Sequence, residues 1–220
     1  KPTRSISGVT PIAVMSAPYA CPHGKCTFCP GGPESEFGNV PQSYTGKEPS
    51  TMRAIRADYD PYTIVFNRLE QYIVAGHTPQ KADIIIQGGT FPAVDEKYQI
   101  NFVKDIYQAL NDFGARFFKK DGINMEKIKD FFELPAEIRT EERQQKMNKK
   151  ILAMKNKRKT TLIKEQRINE TAKVKCVGLT IETKPDWGFA EHGNKLLELG
   201  ATRIELGIQS VYEEPLKVTN

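Results

Sequence analysis

Four short runs of aliphatic residues, each closed by a turn signal and separated by helical stretches, limit most tightly how this chain can fold. The first is Ile12-Ala13-Val14-Met15-Ser16. The second is Asp83-Ile84-Ile85-Ile86-Gln87, ending at Gly88-Gly89. The third is Cys176-Val177-Gly178-Leu179-Thr180-Ile181-Glu182, stopping before Pro185, and the fourth is Arg203-Ile204-Glu205-Leu206-Gly207-Ile208-Gln209. Apolar, β-branched runs of this length bounded by Gly or Pro read as buried parallel strands. From Pro61 to Ala75 the apolar residues Ile64, Val65, Leu69, Tyr72 and Ile73 form one helical face, with Gly76 as the stop. Gln99–Leu110 and Gly188–Leu199 repeat the pattern. Strands alternating with helices make βαβ units, so the expected class is α/β, a parallel sheet or barrel. Four parallel strands stopping at Asn220 would leave a buried edge unpaired. Pro215-Leu216-Lys217-Val218 opens another helix, so the barrel is expected to be partial, truncated before closure, within a longer protein.

The connection from Gly88 to Cys176 is long, and its later part, about 125–170, reads as a basic insertion of helices and a mobile loop. Glu141–Lys175 holds twelve Lys/Arg against four Asp/Glu, a local +8 in a chain of net +5. Charge so concentrated suits a polyanionic partner, and equally a solvated lysine-rich helix. The candidate phosphate contacts are Arg53, Arg56, Lys149, Lys150, Lys155, Lys157, Arg158 and Lys159. The 220 residues are 39% hydrophobic and 27% charged, an ordinary globular composition. No run approaches the roughly 18 apolar residues of a membrane helix, and no apolar stretch follows Lys1-Pro2-Thr3-Arg4, so no membrane partner and no signal peptide are expected.

Three of the four cysteines crowd into Cys21-Pro22-His23-Gly24-Lys25-Cys26-Thr27-Phe28-Cys29, directly after the first strand. That position is the carboxyl end of the strand, where α/β barrels place their chemistry. Clustered thiols in so few residues point to metal chemistry in a reducing, cytoplasmic compartment. Three soft ligands on one loop suit zinc, with His23 as the fourth. They also suit a two-iron cluster completed by Cys176, or a four-iron cluster on three cysteines with one iron open to a small molecule. Cys176 opens a strand at its amino end, which weighs against its joining the loop.

A three-cysteine loop after the first strand of a βα barrel resembles the radical S-adenosylmethionine (SAM) superfamily. The other strand ends agree: Gly88-Gly89-Thr90, Ile181-Glu182-Thr183-Lys184-Pro185-Asp186 and Leu206-Gly207-Ile208-Gln209-Ser210. The match narrows at Cys29-Pro30-Gly31-Gly32-Pro33, Gln42-Ser43-Tyr44-Thr45-Gly46, Met52-Arg53-Ala54-Ile55-Arg56-Ala57 and Gly88-Gly89-Thr90-Phe91. These resemble the family of Elongator catalytic subunits over nearly the whole chain, the basic segment excepted. Two departures stand out. Eukaryotic members have a longer gap between the first two cysteines, and Lys184 stands where many members have Arg, which unlike Lys can pair bidentately.

The resemblance implies a radical SAM domain over 1–220, incomplete here, followed by an acetyltransferase domain. It implies a [4Fe-4S] cluster on Cys21, Cys26 and Cys29, with SAM at Gly88, Gly89, Thr90, Glu182, Lys184 and Gln209. Acetyl-CoA is the implied co-substrate, with Lys81 as its family-associated lysine, at the strand end away from the cysteine loop. The implied activity is carboxymethylation of the wobble uridine of tRNA by radical chemistry. The implied partners are tRNA and other Elongator-like subunits or a second copy of the chain. Two other readings remain: a coproporphyrinogen-dehydrogenase-like radical SAM enzyme, and a degenerate fold that only binds tRNA.

Overall fold

A computed structural model describes residues 6–135 and 140–218. In chain order the first elements are β1 (Val9–Met15), α1 (Pro49–Arg56), α2 (Pro61–Val74), β2 (Lys81–Gln87) and α3 (Glu96–Phe117). A small hairpin follows, β3 (Phe118–Lys119) and β4 (Gly122–Ile123), then α4 (Met125–Phe132), α5 (Glu141–Lys155) and α6 (Leu162–Asn169). The chain continues with β5 (Lys175–Thr183), α7 (Ala190–Glu198), β6 (Arg203–Leu206) and α8 (Glu213–Lys217).

The four expected strands form one open sheet in the order β1-β2-β5-β6. β5 and β6 run parallel, with Thr180 opposite Arg203 and Thr183 opposite Leu206. β6 is shorter than its sequence suggests and all four of its residues are exposed. After Leu206 the backbone turns: Gly207 N–H donates to Thr183 O at 3.0 Å, and Gln209 adopts a positive φ of 64°. Gln209 therefore lies beyond the strand rather than ending it within a buried sheet.

The chain divides into two compact units. The first comprises the described residues of Lys1–Ile12, Pro61–Asp83 and Val103–Val177. Its core is aromatic. Phe66 lies 5.0 Å from Tyr62 and 5.1 Å from Phe113, and Phe117 lies 4.7 Å from Phe113 and 5.4 Å from Phe131, centroid to centroid. The helical face foreseen on α2 is buried throughout, from Ile64 to Ile73. Gly114 sits inside helix α3 because the chain crosses it closely: a Cβ there would stand 3.1 Å from Val174 N.

The helices expected in the basic segment are present as three helices with buried faces, α4, α5 and α6; residues 136–139 lie outside the described residues. Asn124 caps α4 by accepting from Lys127 N–H, and Thr161 caps α6 by accepting from Lys164 N–H. Ile128, Phe132, Met147 and Ile151 are all at most 2% exposed, and α5 packs on α2. A polar network runs through this packing. Glu165, fully buried, accepts from both terminal guanidinium nitrogens of Arg158, from Thr160 Oγ1 at 2.6 Å and from Asn111 Nδ2 at 2.8 Å. Arg158 also reaches Asp112 Oδ1 at 2.9 Å, and Tyr62 OH donates to the other oxygen of Asp112. Asn169 extends the chain of bonds, donating to Asn111 Oδ1 at 2.7 Å and accepting from Cys176 N–H at 2.7 Å.

The second unit comprises the described residues of Ala13–Asp60, Ile84–Phe102 and Gly178–Asn220. Its core is aliphatic around Val14, Ile84, Ile86, Leu179 and Ile181, with Phe91 beside Phe102 at 5.4 Å. α1 opens with Pro49 at its first position, where a missing N–H costs nothing. Glu48 just before it accepts from Thr45 N–H at 2.9 Å and from Thr51 Oγ1 at 3.1 Å.

Candidate functional site

The second unit holds a cavity of about 250 Å³ built from the loops that follow β1, β2, β5 and β6. The β1 loop contributes Cys21, Cys26 and Cys29, the β2 loop Gly89 and Thr90, the end of β5 Glu182, Thr183 and Lys184, and β6 with its turn Leu206, Gly207 and Gln209. A short strand followed by a loop at each position brings residues far apart in the sequence to one edge of the sheet.

Each cysteine sulfur has its own polar neighbour. Cys21 Sγ is 3.5 Å from Thr90 Oγ1, and Cys26 Sγ is 3.5 Å from His23 Nε2. Cys29 Sγ accepts from Ser43 N–H at 3.2 Å, and its single S–H has two acceptors in reach, Gln42 Oε1 at 3.2 Å and Gly31 O at 3.3 Å. None of the four cysteines is in a disulfide. Among the described residues no three of His, Cys, Asp and Glu converge tightly enough to hold one metal ion. Cys21, Cys26 and Cys29 instead line one cavity, each beside a group able to donate to a thiolate. That donor set fits a multi-iron cluster seated in the cavity better than a mononuclear site.

Glu182 and Glu205 line the same cavity, together with Lys184. Glu182 Oε1 accepts from Gln87 Nε2 at 2.8 Å, and Glu182 Oε2 accepts from Tyr44 OH at 3.0 Å. Burial pushes the Glu182 carboxyl above its ordinary range, against the lowering effect of these two bonds. Burial and the adjacent Glu182 together hold the Tyr44 hydroxyl protonated far above neutral pH. His23 is held below its usual value by burial first and the Lys184 ammonium second.

Over 218 residues, 99% of this chain, it is 44% identical to the tRNA uridine(34) acetyltransferase of Methanocaldococcus infernus. It is 42% identical to the protein of that name from Methanocaldococcus jannaschii, and 38% identical to Elongator complex protein 3 of Schizosaccharomyces pombe. The solved archaeal Methanocaldococcus infernus Elp3 with an N-terminal deletion superposes with a TM-score of 0.57 at 28% identity, over 96% of this chain and 31% of that one. No protein-family model matches. Nearly the whole chain is similar to these proteins. It spans about a third of the length of these relatives.

The structure gathers some of the sequence-selected residues and separates others. Cys21, Cys26, Cys29, Gly89, Thr90, Glu182, Lys184 and Gln209 share the cavity. Gly88 does not line it. Its carbonyl accepts from Tyr19 OH at 2.7 Å and Ser16 Oγ at 3.1 Å, and a Cβ on it would overlap Ser16 Oγ. Lys184 Nζ is paired with Asp186 at 2.9 Å, and Gln209 folds back to donate to Gly207 O at 3.1 Å. Cys176 is the second residue of β5, in the first unit, and Lys81 is the exposed first residue of β2, in that same unit.

The basic candidates divide in the same way. Lys150 donates to Phe131 O at 2.6 Å and pairs with Glu133, Lys155 pairs with Asp105 at 2.8 Å, and Arg158 is held by Glu165 and Asp112. Lys149, Lys157 and Lys159 are exposed. Arg53 and Arg56 lie on the last turn of α1, Arg53 partly buried and Arg56 exposed. Among the residues not singled out by role from the sequence are Gln42 and Tyr44, which line the cavity, and Gln87, which bonds Glu182. A glutamine and a tyrosine inside a Gly- and Pro-rich loop, away from any apolar stripe, are the signal that marks the first two.

Proposed function

We propose that this chain is the iron–sulfur- and SAM-binding part of a tRNA wobble-uridine acetyltransferase of the Elongator type. The observation that supports it most is the meeting of three cysteine thiols with the strand ends of β2, β5 and β6 around one cavity, in a homologue of tRNA uridine(34) acetyltransferases. In this reading residues 1–220 are one radical SAM domain carrying the basic insertion at about 125–170. An acetyltransferase domain that takes acetyl-CoA belongs to the rest of the protein, and Lys81 faces it.

Cys21, Cys26 and Cys29 would hold a [4Fe-4S] cluster. When bound, such a cluster supplies the one-electron reduction that cleaves SAM. The chain's own residues bind and orient. Tyr44 and Gln87 fix both oxygens of Glu182, so the carboxylate is presented ready-oriented to a cationic or hydroxyl group of SAM. Gly89 lines the cavity with its α-carbon packed against Gln42 and Tyr19, and Thr90 and Lys184 offer a hydroxyl and a cation to the same cavity. Gln209, in the turn after β6, adds a carboxamide to the cavity lining. Exposed Lys149, Lys157 and Lys159, with Arg56, offer phosphate contacts to tRNA. Other Elongator-like subunits or a second copy complete the assembly, in the cytoplasm. Among the described residues no helix is long and apolar enough to cross a membrane.

The test is anaerobic reconstitution of the complete protein. About four iron per chain are expected for a three-ligand cluster. Dithionite and SAM should then release 5′-deoxyadenosine. Serine at any of Cys21, Cys26 or Cys29 should remove both iron and product, whereas Cys176→Ser should keep both. Tightly bound zinc without iron would overturn the reading. Iron without deoxyadenosine would favour a tRNA-binding scaffold.

A further inference from the structure

Gln42 is 7% exposed and its carboxamide stands 3.2 Å from Cys29 Sγ. Its seat is built around it. Gly32, at φ 132°, packs on the carboxamide so closely that a Cβ would overlap Oε1, and Gly89, at φ 62°, would place a Cβ 3.3 Å from Gln42 Cβ. Two glycines in the left-handed region, one from the cysteine loop and one from the end of β2, thus clear the space the side chain occupies. The next backbone N–H, from Ser43, already points at the same sulfur.

A buried carboxamide needs partners, and its oxygen and nitrogen exchange places by rotation about the last side-chain torsion. While Cys29 carries its proton, the thiol donates and Gln42 Oε1 accepts. Once Cys29 is a thiolate ligand there is no proton to donate, and the oxygen would face a negative sulfur. The favourable arrangement then turns Nε2 toward Cys29, so that side-chain and Ser43 N–H groups both donate to the sulfur.

We infer that Gln42 is a positioning residue for the Cys29 corner of the cluster, donating from its carboxamide to the coordinated sulfur and raising the cluster's reduction potential. This rests on the cluster reading above. Hydrogen bonds to ligand sulfurs stabilise the more negative, reduced cluster, so each one shifts the potential upward. Cys21 and Cys26 have a hydroxyl and an imidazole as neighbours, so Cys29 is the ligand with a side-chain carboxamide beside it.

The experiment compares wild type, Gln42→Met and Gln42→Glu in the complete, anaerobically reconstituted protein. Iron content, helix content by circular dichroism and reduction potential by EPR-monitored titration are read for each. Methionine keeps the length and bulk between Gly32 and Gly89 but removes the donor. Glutamate keeps the shape and places a charge by the sulfur. Expected are wild-type iron and helix content in the methionine variant, with potentials falling in the order wild type, methionine, glutamate. Equal potentials in every variant that holds the cluster would overturn the inference and leave the cluster reading standing. Loss of iron from both variants with helix content intact would also overturn it, since Gln42 would then be needed only to build the loop. Wild type that takes up no iron would refute the cluster reading and this inference together.

Discussion

Arg158→Met tests whether the most basic part of the chain is held by internal ion pairs. The substitution keeps an unbranched apolar stem and deletes the guanidinium. It removes the bonds to both oxygens of Glu165 and to Asp112, and leaves Glu165 fully buried with only Thr160 and Asn111 as side-chain donors. Removing one partner of a buried ion pair costs about 3–5 kcal/mol, because the other charge stays behind. The Arg158 side chain is 35% exposed, so water partly replaces it and the lower end, about 3 kcal/mol, applies. For a chain of this size that lowers Tm by roughly 6–12 °C.

The pH dependence has a definite sign. Burial pushes the Glu165 carboxyl up, but the bonds from Arg158, Thr160 and Asn111 outweigh it and hold it below the usual carboxylate range. Its stabilisation is therefore present above the unfolded carboxyl pKa and is lost as pH falls through the lowered one. Without Arg158, burial dominates and the folded state favours the neutral acid. The deficit of the variant should be largest near neutral pH and shrink on acidification. Adding Glu165→Gln should recover part of the loss at neutral pH. Thermal unfolding followed by circular dichroism at neutral and acidic pH measures all of this. A Tm within about 2 °C of wild type, together with weakened tRNA binding, would refute the reasoning and return Arg158 to the RNA-facing set.

Three further outcomes are expected. Glu182→Gln should raise the stability of the metal-free protein at neutral pH but not in acid, because burial raises this carboxyl and its ionisation opposes folding as pH rises; the same variant should weaken SAM binding, and equal stability at both pH values would count against the burial argument. Neutralising Lys149, Lys157 and Lys159 together should make the log–log salt slope of tRNA binding shallower by up to roughly 3 units with Tm unchanged, whereas a solvated helix predicts no change in slope. Lys81→Ala should weaken acetyl-CoA turnover in the complete protein with iron content unchanged, and iron loss with normal turnover would refute its placement.

The α/β class, the four strands and the cysteine loop were legible in the sequence because they rest on local signals. Hydrophobic periodicity over a few residues marks a strand or helix, and three thiols within nine positions need no tertiary contact to be noticed. The ends of β2 and β5 were equally plain, since Gly88-Gly89 and Pro185 stop the runs that precede them. What escaped were the partners. Tyr44 meets Glu182 across 138 positions, and Gln87 meets it across 95, and nothing in either neighbourhood announces the other. The charge of the basic segment escaped for the same reason. A local +8 counts cations but not the acids that reach them, and Asp105, Asp112 and Glu133 lie outside that segment in sequence while pairing with Lys155, Arg158 and Lys150 in space. Composition and spacing are properties of the chain in one dimension. Which charge is neutralised, which carboxyl is buried and which glycine makes room for a neighbour depend on packing distance, and only the tertiary structure decided them.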